Sequence, residues 1–285
     1  MTKIIKENTP RPSIFDILGV GEQKPLYSVG YNTIKENQAY IDVETTNDIT
    51  KGETTYPYDI HITIMDCQDR VLYSRSFIVS DIFDDKICME HTFYRDKIPH
   101  YNTILDDLND TKENIKLRKL YRYFSAERVL NTLNKLLIRY NVKVFHAFNG
   151  KFDYQAILNL YYLKKINNTP FFRLDLIDTR EMFLKALIEI PKLRDKYLRW
   201  CKKNGKYSEK GNAITNVETI YQFITKDLSF KEKHNGLDDT KNEIYIIKWV
   251  KKQYKKYGIE LIVNFNNYYL KGYSLYSNGG LLKVN

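Results

Sequence analysis

Asp42 and Glu44 stand two positions apart in the run Ala39–Asn47, A-Y-I-D-V-E-T-T-N, and this pair restricts the fold more than any other stretch of the chain. On a strand, where side chains alternate between faces, both carboxylates leave one face while Ile41 and Val43 leave the other. Two acids side by side on a half-buried strand repel one another. Either the strand is an edge with its polar face in water, or a hard divalent cation sits between the carboxylates and reverses the repulsion. Further ligands elsewhere in the chain would decide for the cation.

Other segments predict a sheet around this strand. Asp59–Met65 (D-I-H-I-T-I-M) alternates with period two, and Val71–Val79 is rich in aromatic and β-branched residues. Asp66–Arg70 between them reads as a turn, which predicts an antiparallel pair beside the first strand. Ser80–Leu120 is polar and mixed, with periodicity only around Thr103–Leu108. Ser125 is placed to cap a helix whose apolar positions Val129, Leu130, Leu133, Leu136, Leu137 and Tyr140 share one side. Val142–Phe148 reads as a buried strand, Ala156–Leu163 as helix and Phe171–Ile177 as a fifth strand. Thr179–Lys233 is mainly helical around a polar loop at Lys203–Asn212, and a last helix runs from about Leu237 to Tyr257. Hairpin-like strands followed by helix, strand, helix, strand predict an α/β fold with a mixed sheet covered by helices. Residues 1–37 read as an irregular N-terminal arm, 38–258 as the main domain, and 259–285 as a C-terminal extension, a hairpin or an arm.

The formal net charge of +10 over 285 residues favours an anionic partner, nucleic acid ahead of a membrane surface. Lys192, Arg194, Lys196, Arg199, Lys202, Lys203 and Lys206 could follow a phosphate backbone or form a solvated helix face. The basic run Lys248–Lys256 has a structural explanation in the dipole of the last helix. Cys67, Cys88 and Cys201 are widely spaced, so neither a disulfide framework nor a zinc knuckle is indicated. The first residues carry no apolar segment of signal-peptide length and no apolar run reaches about eighteen residues. A cytoplasmic protein without membrane attachment is therefore expected.

Two further acidic elements follow. In H-A-F-N-G-K-F-D, His146–Asp153, Asn149 can cap a helix opening near Gly150, with Asp153 in its first turn on the rim where ligands bind in open α/β sheets. In K-H-N-G-L-D-D-T-K-N-E, Lys233–Glu243, His234 precedes a helix that carries Asp238 and Asp239 in its opening turns. A histidine near neutrality suits proton abstraction from water. Carboxylates without a cysteine or second histidine nearby argue for an oxygen-ligand metal site with a separate base rather than for zinc.

The chain resembles the DEDDh subgroup of the DnaQ-like 3'-5' exonucleases, whose motifs D-x-E, N-x-x-(F/Y)-D and H-x-(A/G)-x-x-D occur in this order. Asp42 and Glu44 match the first, Asn149, Phe152 and Asp153 the second, and His234 and Asp239 the third, with Gly236 where the family usually has Ala. Leu176–Phe183 is similar to the family's fifth strand leading into a helix. Asn47, where Gly often follows the first motif, and the long Thr179–Lys233 segment depart from the pattern. The resemblance implies an RNase H-like fold with a five-stranded mixed sheet. It implies two Mg²⁺ or Mn²⁺ ions held by Asp42, Glu44, Asp153 and Asp239, with His234 as general base. The implied substrate is single-stranded or frayed nucleic acid, DNA favoured, shortened from its 3' end to nucleoside 5'-monophosphates. Thr45 and Asn149, with Phe148 or Phe152 as stacking or wedging rings, are the implied substrate contacts. The two rings are equally well explained as packing. A DNA polymerase or another replication or repair protein, acting in trans, fits as a partner. An exoribonuclease of the same fold and a catalytically idle binding protein are the competing readings.

Overall fold

Nine residues of Asn37–Thr45 form a strand, β2, with Ile41 and Val43 pointing into one apolar layer and Tyr40 into another. The computed structural model describes residues 28–31, 34–46, 54–90, 92, 95–109, 115–167, 169–264, 273–275 and 281–283. β3 (Pro57–Met65) and β4 (Val71–Val79) run antiparallel on one side of β2, joined by a turn in which Asp66 Oδ1 accepts the Gln68 and Arg70 N–H groups. On the other side β6 (Val142–Ala147) is parallel to β2, and β7 (Asp175–Asp178) is parallel to β6. The expected five strands are thus present in a mixed sheet flanked by helices, which matches RNase H-like architecture. A sixth, β5 (Tyr121–Phe124), adds a parallel edge beside β4, so the order is β5-β4-β3-β2-β6-β7.

Among the described residues, seven longer helices cover the sheet. They are α1 (Ile98–Asn109), α2 (Ala126–Arg139), α3 (Gly150–Leu163), α4 (Thr179–Glu189), α5 (Pro191–Lys203), α6 (Val217–Thr225) and α7 (Gly236–Tyr257). α1, α2 and α3 pack on the face that bears Ile41, Val43, Ile60 and Ile62. α4 to α7 pack on the face that bears Tyr40, Val144 and Ile177. Each fully buried Leu, Ile or Phe contributes about 1.5–3 kcal/mol relative to exposure, so the two layers dominate the stability. Ser125 caps α2 by accepting the Arg128 N–H, as its position predicted. α5 is amphipathic: Leu193, Tyr197 and Cys201 are buried, while Lys192, Lys196, Arg199, Lys202 and Lys203 are exposed.

Some boundaries differ from the sequence expectation. The fifth strand begins at Asp175 rather than Phe171, because Pro170 opens a 3₁₀ turn over Pro170–Arg173 whose Phe171 N–H donates to Thr169 Oγ1. Ser80–Leu120 contains the short helices Ser80–Phe83, Lys86–Glu90 and Ile115–Leu120 besides α1. Of the expected N-terminal arm, residues 1–27 lie outside the described residues, as does Asn47. β1 (Ser28–Gly30) pairs antiparallel with β8 (Ile262–Asn264), and β9 (Tyr273–Leu275) pairs antiparallel with β10 (Leu281–Lys283). Among the described residues no helix is long and apolar enough to cross a membrane.

Candidate active site

β2 outlasts one of its neighbours. Its parallel register with β6 stops at Tyr40↔His146, while its register with β3 continues through Asp42↔His61 and Glu44↔Asp59. Beyond Tyr40 the backbone of β2 has no strand to pair with on the β6 side. The Val43 N–H donates instead to Asp153 Oδ1 at 3.2 Å. A buried amide requires an acceptor, and here the acceptor is the carboxylate of the second motif. Asp153 is thereby tied to the strand that carries Asp42 and Glu44.

Asp153 lies in the first turn of α3, as expected, but the capping differs. Asn149 is the N-cap residue, yet it adopts a left-handed conformation (φ 59°) and its side chain makes no capping bond. Asp178 Oδ2 accepts the Gly150 N–H at 2.9 Å, and Asp178 Oδ1 accepts the Glu181 N–H at 3.1 Å. One carboxylate at the end of β7 thus holds the starts of both α3 and α4. Asp178→Ala is expected to lower stability by about 1–2 kcal/mol, the usual scale of a lost cap, as read by urea unfolding.

The third element closes over β2 from α7. Asn235 Oδ1 caps the helix by accepting the Asp238 N–H at 3.0 Å, and the Asn235 N–H donates to Asp239 Oδ2 at 2.9 Å. His234, just before the cap, takes a left-handed backbone (φ 51°). Such a conformation in a residue with a Cβ costs about 1–3 kcal/mol and persists only where the surroundings enforce it. Gly236 explains the close approach: a Cβ there would lie 2.7 Å from His61 Cβ and 3.3 Å from the Asp42 carbonyl oxygen. The Ala common in the resembling family has no room at this position.

Glu44, His234 and Asp239 each present a ligand atom within 4.8 Å of the other two. Asp42 and Asp153 are outside that triplet, but they are electrostatic neighbours: each carboxyl is pushed well above its ordinary range. For Asp42 the causes are burial, then Asp153 and Glu232; for Asp153 burial dominates. Glu44 is raised by burial, Asp42 and Asp239. Asp239 is pushed up to about 9 by burial, Asp42 and Glu232. Asp42 Oδ2 and Asp239 Oδ1 are buried without a hydrogen-bond partner. Orphaned oxygens on mutually repelling carboxylates, with one imidazole beside them, fit a hard divalent cation of the Mg²⁺ or Mn²⁺ kind. Burial and then Lys97 lower the pKa of His234, which favours its neutral, proton-accepting form.

This arrangement has a pH signature in the metal-free protein. A carboxyl whose folded pKa is raised holds a proton that unfolding releases, so its contribution to stability is lost as pH rises through the folded value. His61 and His146, both lowered to about 3 by burial, oppose this trend only below their unfolded pKa near 6.5. Between pH 7 and 9 the raised carboxyls, Asp239 near 9, Glu181 near 8 and Glu232 near 7, set the trend, and Cys201, raised to about 11 by burial, acts in the same direction. In EDTA the melting temperature is expected to fall from pH 7 to pH 9, and added Mn²⁺ at pH 9 is expected to restore it. A flat EDTA profile by differential scanning fluorimetry would contradict the clustering.

Sequence reasoning missed three acids that the fold brings to this place. Asp59, opposite Glu44 on β3, is fully buried and accepts hydrogen bonds from Ser76 Oγ (2.6 Å) and Tyr101 OH (2.8 Å). Glu232, before the third motif, raises Asp42 and Asp239, and Glu243, after it, is itself raised by burial, Asp42 and Asp153. Their only sequence signal was proximity to His234 and Asp239. Thr45 is half-buried at the end of β2 and Asn149 is exposed. Phe148 packs against the α4–α7 layer and Phe152 against the opposite one.

No protein-family model matches the sequence, and no curated protein matches it. Solved structures with a similar chain path include a 3'-exonuclease in a complex described as 3'-end specific recognition of a histone mRNA stem-loop. It has TM-score 0.47 and 14% identity, and the match covers 90% of this chain and 73% of that one. A full-length 3'-exonuclease gives TM-score 0.47 and 14% identity over 88% of this chain and 67% of the other. E. coli exonuclease I with a dA16 oligonucleotide gives TM-score 0.44 and 14% identity over 76% of this chain and 41% of that one.

Proposed function

We propose that the chain is a metal-dependent 3'-5' exonuclease acting on single-stranded or frayed nucleic acid, with DNA favoured. The observation that carries this reading is the meeting of Glu44, Asp239 and His234 beside Asp42 and Asp153, with orphaned carboxylate oxygens where β2 outruns β6. A purely binding role for a polyanion gains nothing from clustering negative charge. Asp42, Glu44, Asp153 and Asp239 are the residues that would hold two divalent cations. Bound there, Mg²⁺ or Mn²⁺ supplies charge stabilisation for the attacking and departing oxygens of an in-line displacement.

The chain's own groups do the rest. His234, neutral because it is partly buried, takes the proton of the attacking water. The water oxygen bonds to phosphorus, the bond to O3' of the penultimate nucleotide breaks, and a nucleoside 5'-monophosphate leaves. Thr45, or the backbone at Glu44, meets the terminal 3'-hydroxyl. Asn149 and the rings of Phe148 and Phe152 flank the terminal nucleotide.

An end-labelled assay on single-stranded DNA, duplex DNA and RNA with Mn²⁺, Mg²⁺ or EDTA tests this. Mononucleotides are expected from the 3' end of single-stranded DNA with either cation and not in EDTA. Release from RNA alone would replace DNA with RNA as substrate. Binding without cleavage of any substrate would overturn the enzymatic reading.

A further inference from the structure

α7 buries a stripe that is apolar in its later turns, with Ile246, Ile247 and Val250 facing the core. Glu243 lies in the same stripe and is only 1% exposed. It stands one helical turn beyond Asp239, on the same side of the helix. Its Oε2 is buried with no hydrogen-bond partner, and the carboxylate faces the Phe148 backbone N–H at the end of β6. The charges that act on it most strongly, Asp42 and then Asp153, are both negative.

Packing does not account for this residue. A carboxylate taken out of water costs several kcal/mol unless it is neutralised, paired or bound to a cation. A glutamine or an aliphatic side chain would fill the same space without that cost. Asp42 Oδ2, orphaned in the same way, is the carboxylate oxygen of the residue that acts most strongly on Glu243. Buried carboxylate oxygens left without donors are the ligand atoms a hard cation takes.

We propose that Glu243 is a fifth carboxylate of the cation centre, facing an ion shared with Asp42 and Asp153 on the α7 side of β2. The assignment rests on the metal-dependent reading above and adds a ligand to it. It divides the site into an outer group, Glu44, Asp239 and His234, and an inner group, Asp42, Asp153 and Glu243.

Glu243→Gln keeps the size of the side chain and removes its charge. In calorimetric titration of the full chain with Mn²⁺ at pH 8, the variant is expected to bind at least about tenfold more weakly than the wild type, the scale on which carboxylates that support a metal act. In EDTA its melting temperature is expected to match or exceed that of the wild type, because no ionisable carboxyl has to be taken out of water on folding. Equal Mn²⁺ affinity in the two proteins would overturn the proposal while leaving the exonuclease reading intact. A variant that melts well below the wild type in EDTA would also overturn it, since Glu243 would then be a structural acceptor. A wild-type protein that binds no Mn²⁺ would overturn both.

Discussion

Asp42→Asn is expected to abolish mononucleotide release, by about a thousandfold or more, on the scale of removing a group that stabilises transition-state charge. The same variant is expected to melt higher than the wild type in EDTA. Asp42 sits on the strand face that also carries Glu44 and is pressed by Asp153 and Glu232, with one oxygen lacking any donor. Asparagine removes the need to bind a proton there on folding. A gain of about 1 kcal/mol appears as about 2–4 °C in a chain of this size. Loss of activity joined to a gain in metal-free stability separates a functional carboxylate from a structural one. Loss of activity with a lower melting temperature would mean that Asp42 holds the sheet together.

His234→Ala carries the second large effect. A positioned base contributes about 10²–10⁴-fold, so kcat is expected to fall by that factor. The position of the imidazole close to the Glu44 and Asp239 oxygens raises a second role, as a cation ligand. The two roles separate in a Mn²⁺ titration of the variant. A base leaves cation affinity within about threefold of the wild type, whereas a ligand lowers it as Asp42→Asn does. Because His234 is held at φ 51° just before the Asn235 cap, the variant keeps the backbone turn that Asn235 and Asp239 enforce. An unchanged kcat would remove His234 from the chemistry.

Much of the fold was legible because its longest elements carry clean periodicity. Asp59–Met65 alternates without a break, and the apolar positions of 129–140 repeat at helical spacing; both became the elements they predicted. β5 was not legible, since four residues with only Tyr121 buried give no pattern to read. The start of β7 was obscured by Phe171 and Phe172, which look like strand residues but lie in a turn set by Pro170 and Thr169. Among the site residues, Glu44, His234 and Asp239 were read from local spacing, and the fold brings them together. Asn149 was read as a side-chain cap from composition; the bond belongs to Asp178, a long-range partner that no local pattern reveals. Glu243 and Asp59 were invisible for the same reason. An acid on a helix or strand declares its burial only when the opposing elements are known.

The proposed exonuclease function rests on a cation centre among these carboxylates. The direct measurement is an anomalous difference map from crystals of the wild-type chain soaked in Mn²⁺ with a nucleoside 5'-monophosphate. Two peaks between β2 and the starts of α3 and α7, bounded by Asp42, Glu44, Asp153 and Asp239, are predicted, with the phosphate against them. A soaked crystal showing no anomalous density at these carboxylates would contradict it.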